Sequence, residues 1–224
     1  MRPSSALTLA LAAFLSLSLA PRASRAEEVK PAAAMAADGV IVVHVVVPLC
    51  DNAQIDCGST RAGAPADLEH NLYWGAVFGH KRHFSRKASA FRLVSTSRDV
   101  PGVLERAVFR RETAGKPFGR ESPVGVVLVL DAVHGERIDA AVDAAYRAAE
   151  RGERVTFREG EADRTLKVDV IGFAGHNRMM DGKEPPPALD KKDETVMPIP
   201  SFVLACRSRE YWQEPLEARG SVPL

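Results

Sequence analysis

The sequence is poor in three features that would narrow the function at once: cysteine, excess charge of one sign and long apolar runs. Only three of the 224 residues are cysteine, which excludes a disulfide-rich miniprotein scaffold. The formal net charge of +1 gives no electrostatic reason to expect nucleic acid or an anionic membrane surface as a partner. The sequence also has no phosphate loop, GxSxG elbow or HExxH motif, which excludes the enzyme classes built on them.

The longest apolar run near the N-terminus covers residues 6–20. It is shorter than the roughly 20 residues that a membrane-spanning helix needs. Arg2 precedes the run, and a Ser-Arg-Ala tripeptide at 24–26 offers small residues at the two positions that a signal peptidase reads. We therefore predict a secretory signal peptide at 1–26, with an uncleaved anchor as the alternative. Cleavage would remove three arginines and change the formal charge from +1 to −2 (27 basic against 29 acidic residues).

Cleavage would leave 198 residues (224 − 26), which suits one domain with a real core. Residues 27–38 are rich in alanine and charge and predict a flexible leader. We assign residues 39–224 to a single domain and expect a periplasmic or secreted location. No second long apolar run follows, so no membrane contact is expected after cleavage.

The three cysteines form an odd set for an exported protein. Cys50 and Cys57 are close enough in sequence to form a disulfide across a loop, which would leave Cys206 as a reactive thiol. A Cys50–Cys206 disulfide and a buried, inert Cys206 are the alternatives. The spacing between Cys50 and Cys57 is not that of a CxxC metal motif, so we expect neither a metal nor another cofactor.

Strand-like and helix-like segments alternate along the chain. Valine-rich runs at 39–49 and 123–130 predict strands buried on both faces. Shorter strands are predicted at 91–96, 154–159, 165–173 and 199–205, and helices are predicted at 67–84, 100–112 and 136–152. This alternation predicts a three-layer α/β sandwich with a mostly parallel central sheet and helices on both faces. A proline-rich loop at 181–198 interrupts the pattern.

Several predicted strands end in polar residues: Cys50-Asp51-Asn52, Asp131, Gly175-His176-Asn177 and Cys206. In an open parallel sheet, ligands bind outside the carboxyl ends of the strands. If the strands before His176 and Cys206 are neighbours, they lie about 4.8 Å apart. An imidazole would then come within reach of a thiol, which is the arrangement that activates a nucleophile. Asp131 is expected to help begin the helix that follows it.

Two of these strand ends resemble a known enzyme family. FAGHN (173–177) and VLACRS (203–208) resemble the histidine and cysteine motifs of the caspase, gingipain and legumain type of cysteine peptidase. The resemblance implies a caspase-like fold without a catalytic metal, and a peptide or protein substrate. It makes Cys206 the nucleophile and His176 the general base or acid.

The same resemblance implies an oxyanion hole made of backbone N–H groups near Cys206 and Asn177. Gly175, Asp51 and Asn52 complete the predicted oxyanion or substrate-binding set. The family has glycine directly after the histidine, where this chain has Asn177, and a side chain there would crowd a substrate carbonyl. The family also continues with further strands, whereas this chain ends 18 residues (224 − 206) after Cys206, which predicts a C-terminally truncated relative.

A second resemblance covers most of the chain. The segments CDN (50–52), NLYWGA (71–76), GHNRMMD (175–181) and LACRSREYW (204–212) together resemble an uncharacterised group of bacterial proteins. That group brings no activity, so a non-catalytic periplasmic binding or scaffold domain is the alternative function. His134, which glycine does follow, is the rival base. Tyr73 and Trp74 are expected to be core aromatics, and Trp212 a packing residue.

Overall fold

A computed structural model describes residues 36, 38–190 and 197–224. The predicted signal peptide lies outside these residues, as does most of the predicted leader. Within the described part of the chain, no helix is both long enough and apolar enough to cross a membrane. The structural account below concerns these residues only.

The described residues form eight strands and three α-helices. The strands are β1 (Val40–Pro48), β2 (Arg92–Ser97), β3 (Glu105–Thr113), β4 (Val124–Val133), β5 (Arg154–Glu159), β6 (Ala162–Lys167), β7 (Val170–Ala174) and β8 (Ser201–Leu204). The helices are α1 (His80–Phe84), α2 (Ile138–Arg151) and α3 (Ser208–Glu217). Short 3₁₀ helices cover Lys116–Phe118, Gly135–Arg137 and Arg178–Asp181.

Six strands form one mixed sheet in the order β2-β3-β4-β1-β7-β8, and β5 and β6 form a separate hairpin. The four strands β4, β1, β7 and β8 are parallel, whereas β3 is antiparallel to both of its neighbours. The fold is therefore α/β with a mostly parallel central sheet, as the sequence predicts. β1 lies between β4 and β7, which explains its near-continuous valine content.

One face of the sheet is covered by α2 and by the aromatic side chain of Trp212 from α3. Val142 and Tyr146 face the sheet because they lie on the buried stripe of α2. The rings of Tyr146 and Trp212 stack in parallel with their centroids 4.8 Å apart. Phe173 of β7 packs against the same indole at 4.9 Å, so α3 is joined to both the sheet and α2.

The opposite face is covered by the segment 49–91, which consists mostly of turns. The predicted helix at 67–84 is wrong except for its last turn, α1. A Cβ at Gly75 would lie 2.3 Å from the Glu69 carbonyl oxygen, and one at Gly79 would lie 2.3 Å from that of Trp74. Only glycine permits these close backbone approaches. The helical layer predicted on this face is therefore limited, in the described chain, to the single short helix α1.

The predicted helix at 100–112 is also wrong, because most of it forms β3. Its apolar residues Ala107, Val108 and Phe109 are consecutive and all buried, so both faces of this strand are covered. A strand buried on both faces has no alternation that would distinguish it from a helix. The position of β3 between β2 and β4 therefore depends on long-range pairing that local sequence does not encode.

The predicted strand at 165–173 is divided between two sheets. Residues up to Lys167 belong to the β5–β6 hairpin, and β7 begins at Val170. The carboxylate of Asp169 accepts a hydrogen bond of 2.8 Å from the backbone N–H of Val42. That bond fixes the point where the chain enters the central sheet beside β1.

Candidate functional site

The ends of β7 and β8 place His176 and Cys206 at the same edge of the sheet. The two strands are parallel neighbours, with Ala174 opposite Leu204 as their last pair. The backbone N–H of Gly175 continues the ladder by donating to the Leu204 carbonyl at 3.2 Å. His176 and Cys206 each follow that last pair by two residues. The predicted parallel, adjacent arrangement of these strands is confirmed.

Cys206 is an exposed free thiol in the turn between β8 and α3. The other two cysteines, Cys50 and Cys57, are joined in a disulfide. Arg207, directly after the thiol, has φ of 51° and is the one non-glycine residue with positive φ in the described chain. A tight strand-to-helix turn that projects a nucleophile is a known catalytic arrangement, and backbone strain at such a position is a reason to look for function.

The ring of His176 is oriented by a carboxylate that the sequence analysis did not identify. Its Nε2 atom lies 2.6 Å from Oδ2 of Asp181, and only 12% of the side chain is exposed. Arg178 donates to the same oxygen at 2.7 Å. The hydrogen bond from His176 lowers the pKa of Asp181 against the opposing effect of burial, and the hydrogen bond from Arg178 lowers it further. Asp181 thus fixes one ring nitrogen and leaves Nδ1 for other partners.

Asn177 is fully buried, and both ends of its side-chain amide form hydrogen bonds to other residues of the protein. Its Nδ2 group donates to the Cys206 carbonyl at 2.8 Å. Its Oδ1 atom accepts hydrogen bonds from the indole N–H of Trp212 at 3.1 Å and from the Met179 backbone at 3.2 Å. Asn177 therefore positions the cysteine turn, and its side chain is not placed as a substrate-binding group. The Gly175 N–H is likewise engaged, by the Leu204 carbonyl.

Asp51 and Asn52, also predicted to bind substrate, organise the disulfide loop. Asp51 is buried and accepts a hydrogen bond of 2.9 Å from the Ala53 backbone. The Asn52 side chain donates to the Ser59 carbonyl at 2.9 Å and accepts from the Cys57 backbone at 3.1 Å. Among the described residues, no hydrogen bond links either side chain to His176 or Cys206.

Tyr73 packs against the core beside Trp74, as the sequence predicts, and it also interacts electrostatically with Cys206. Burial raises the pKa of the Tyr73 phenol, and an electrostatic interaction with Cys206 raises it further. No sequence signal distinguishes this tyrosine from a packing residue. In contrast, Asp181 follows His176 by five residues and could have been considered as its partner.

The rival base, His134, has a structural role. Its Nδ1 atom accepts a hydrogen bond of 3.3 Å from the Glu136 backbone at the start of the Gly135–Arg137 turn of 3₁₀ helix. His134 is thus the N-cap residue of this turn. Within the described chain, no hydrogen bond joins the Cys206 thiol to any histidine ring.

A second cluster of charged side chains is buried beneath α2, and the sequence analysis missed it. His44, in the middle of β1, lies 2.9 Å from Asp131 through Nε2 and also contacts the Glu153 carboxylate through Nδ1. The guanidinium group of Arg106 in β3 donates two hydrogen bonds, of 2.7 and 2.6 Å, to the Asp131 carboxylate. It also donates to the Thr156 carbonyl at 2.7 Å. Asp131 lies inside β4, so the expectation that it begins the next helix is wrong.

These contacts shift the proton equilibria of the cluster. Burial alone would lower the pKa of His44, but its hydrogen bonds to Asp131 and Glu153 raise that pKa to about 9. Burial would raise the pKa of Asp131, but Arg106 and His44 lower it to about 2. The cluster is therefore a set of alternating charges at neutral pH. A histidine within an otherwise apolar strand was the available signal.

Comparisons with known proteins do not extend these observations. No family model matches the chain, and no curated protein or solved structure matches it. Across the described ranges, no group of three or more His, Cys, Asp or Glu side chains is arranged to hold a metal ion. The function is therefore argued from the geometry of the strand ends and from the motifs that they carry.

Proposed function

We propose that this protein is an exported thiol hydrolase with a caspase-like fold that cleaves peptide or amide bonds. Cys206 is the nucleophile, His176 is the general base and acid, and Asp181 positions the imidazole. The observation that carries the proposal is the exposed Cys206 thiol at the end of β8, one strand away from a histidine held by a carboxylate. Nucleophile, base and orienting group thus come from one sheet edge.

The proposed reaction begins with proton transfer from the Cys206 thiol to Nδ1 of His176. The thiolate attacks the substrate carbonyl carbon, and a carbon–sulfur bond forms. When the carbon–nitrogen bond breaks, the imidazolium returns its proton to the departing amine. Water then attacks the thioester, with His176 again accepting a proton, and a carboxylic acid is released as the thiol is restored.

The backbone supplies candidate donors for the oxyanion of the tetrahedral intermediate. The thiol lies just before α3 (Ser208–Glu217), where the N–H groups of Ser208 and Glu210 already donate to the Ala205 and Arg207 carbonyls. The candidate donors at this turn are therefore the N–H groups of Arg207 and Arg209. They also carry the positive end of the helix dipole. They join the backbone N–H of Asn177 in the proposed oxyanion hole, whereas the Gly175 N–H is engaged by the Leu204 carbonyl.

Thiol reactivity provides a direct test of the dyad. The wild-type protein and a His176→Ala variant are treated with iodoacetamide at neutral pH, and alkylation of Cys206 is followed by mass spectrometry. His176→Ala should slow alkylation at least tenfold, because the ring no longer accepts the thiol proton. His134→Ala is the matched control and should react at the wild-type rate. Equal rates for all three proteins would contradict the dyad.

Turnover is tested with a mixture of unstructured peptides, and new termini are detected by mass spectrometry. Cleavage that depends on both Cys206 and His176 supports the proposal. Cleavage that survives Cys206→Ala would contradict it. If alkylation of Cys206 depends on His176 but no peptide is cleaved, the thiol is activated and the substrate is an amide of another kind.

A second candidate is a non-catalytic binding or scaffold domain that retains the fold. Two observations favour it: Asn177 occupies the position where the family has glycine, and the described structure has no hydrogen bond between His176 and the thiol. In unliganded enzymes, catalytic hydrogen bonds often form only when the substrate binds. The alkylation rates therefore discriminate between the two candidates.

Export is part of the proposal and is supported by two independent features. The N-terminal pattern at 1–26 is that of a signal peptide, and the Cys50–Cys57 disulfide suits an oxidising compartment. N-terminal sequencing of the protein from the periplasmic fraction should give Glu27 as the first residue. Recovery of the intact N-terminus from the cytoplasm would contradict export.

A further inference from the structure

A cleft of about 310 Å³ lies between α2 and the central sheet, and neither His176 nor Cys206 lines it. Its helical wall consists of four alanines: Ala140, Ala141, Ala144 and Ala148. Val46 and Val133 contribute apolar surface from the sheet, and the loop 100–103 forms the rim. Small side chains on the helix leave this space open, where larger ones would fill it.

The cleft is elongated along the helix. Arg137 at the start of α2 and Ala148 near its end both line it. At 1.5 Å per residue, the helix axis between them is about 16 Å long. Small apolar side chains line the helical wall along this length, so an extended apolar chain can lie against it.

The charges that line the cleft are unevenly distributed. At its inner end, His44 and Arg106 are paired with Asp131 and Glu153, and these four groups cancel. Arg137 lies at the opposite end and is exposed. Its Nη1 atom lies over the rim loop, where it would be 3.6 Å from a Cβ at Gly102. In the described structure its guanidinium group makes no ion pair, so the lining has one unbalanced positive charge.

We propose that this cleft binds a small amphipathic monoanion, a carboxylic acid with an unbranched apolar tail. The carboxylate pairs with Arg137, because guanidinium and carboxylate form a planar pair of hydrogen bonds. The tail lies along the alanine wall and the two valines, where it leaves water. The inner charge cluster is already satisfied, so it closes the cleft and does not contribute a second ionic contact.

The predicted negative charge of the ligand follows from the residues that line the cleft and does not depend on the Cys206 site. His44 stays protonated at neutral pH because its pKa is raised to about 9, with hydrogen bonds to two carboxylates outweighing burial. The inner cluster therefore stays neutral overall, and Arg137 sets the sign of the ligand. This inference stands or falls separately from the proposed hydrolase activity.

Octanoate, butanoate and octylammonium are suitable probes, measured by isothermal titration calorimetry with the full chain. Each added methylene should raise the affinity by up to about fourfold. Octanoate should therefore bind at least tenfold more tightly than butanoate and more tightly than octylammonium. Equal binding of octanoate and octylammonium, or no octanoate binding at millimolar concentration, would overturn the proposal.

Two variants locate the site, and a third is the control. Arg137→Gln removes the cation, and Ala144→Leu fills the middle of the cleft; each should weaken octanoate binding at least tenfold. Both residues are exposed, so the fold should persist, and circular dichroism checks this. Arg151→Gln removes an exposed cation from the same helix outside the cleft lining and should leave binding unchanged. Wild-type affinity in both site variants would show that octanoate binds elsewhere and would overturn the assignment.

Discussion

The side-chain amide of Asn177 donates a hydrogen bond of 2.8 Å to the backbone carbonyl of Cys206. The residue after the proposed base therefore holds the turn that carries the proposed nucleophile. The other end of the same amide accepts the indole N–H of Trp212, which ties α3 to the histidine loop. Through this single buried side chain, the ends of β7 and β8 and the final helix are fixed together.

Replacement of Asn177 by alanine should destabilise the protein by about 3 kcal/mol. The Cys206 carbonyl, the Trp212 indole and the Met179 N–H would lose their partner, and an unsatisfied buried group costs about 1–3 kcal/mol. Urea denaturation followed by tryptophan fluorescence measures the change. Asn52→Ala is a control, because that asparagine is exposed and water can replace its partners. A loss below about 1 kcal/mol for Asn177→Ala would show that the bonds carry little of the stability.

Asp181→Asn should slow alkylation of Cys206 with little change in stability. The carboxylate holds Nε2 of His176, and an amide cannot stabilise the imidazolium that forms when the thiol loses its proton. We expect the iodoacetamide rate to fall several-fold toward that of His176→Ala. Because Asp181 is partly exposed, the free energy of unfolding should change by less than about 1 kcal/mol.

The control for this prediction is Asp163→Asn, which removes an exposed carboxylate that pairs with Arg158 far from the thiol. Its alkylation rate should equal that of the wild type. If Asp181→Asn reacts like this control, Asp181 does not position the ring. If it unfolds at a lower urea concentration with an unchanged rate, its role is structural.

The sequence predicted the parts of the fold that are encoded locally. The valine-rich strands β1 and β4 and the helix α2 lie where their patterns place them, since apolar periodicity over many residues is a strong signal. The strands before His176 and Cys206 are parallel neighbours, which is the condition that the predicted Cys–His pair required.

The errors occurred where tertiary contacts decide the local structure. The segment at 67–79 has helical spacing but folds as turns, since Gly75 and Gly79 bring backbones into direct contact. Residues 105–113 are a strand because two other strands pair with them. His44 was overlooked because its two carboxylate partners come from β4 and the region after α2, more than 80 residues away.

Loss of the Cys50–Cys57 disulfide should destabilise the protein by about 2–3 kcal/mol. The disulfide joins residues separated by 7 positions. Closing a loop of this size lowers the conformational entropy of the unfolded chain, which stabilises the folded state by about 2–3 kcal/mol. Urea denaturation of a Cys50→Ala/Cys57→Ala double variant measures the effect. The alkylation rate of Cys206 should be unchanged, because the loop residues Asp51 and Asn52 make no hydrogen bonds to the thiol among the described residues.

A reductant provides the complementary measurement. Dithiothreitol should lower the urea midpoint of the wild type to that of the double variant and leave the variant unchanged. Cys206 is the one cysteine left in the variant, so a shift of its midpoint in reductant would show a Cys206 disulfide between two molecules.

The buried ion cluster around His44 should make stability fall at alkaline pH. The pKa of His44 is about 9 in the folded protein and 6.5 when unperturbed, so folding favours the protonated ring. A raised folded pKa contributes stability that is fully present below about pH 6.5 and is lost as the pH rises through about 9. At 1.36 kcal/mol per pKa unit, the shift corresponds to about 3 kcal/mol.

His44→Gln isolates this contribution, because glutamine has nearly the same hydrogen-bonding reach but does not titrate. The variant should be less stable than the wild type at about pH 6, since Asp131 and Glu153 lose a cationic partner in a buried site. The difference in unfolding free energy between the two proteins should shrink by about 3 kcal/mol between about pH 6 and pH 10. Because both proteins share every other titratable group, comparing their unfolding free energies isolates the pH dependence that comes from His44. A difference that stays constant across this range would mean that His44 does not change its charge there, and that the cluster is held together by neutral hydrogen bonds.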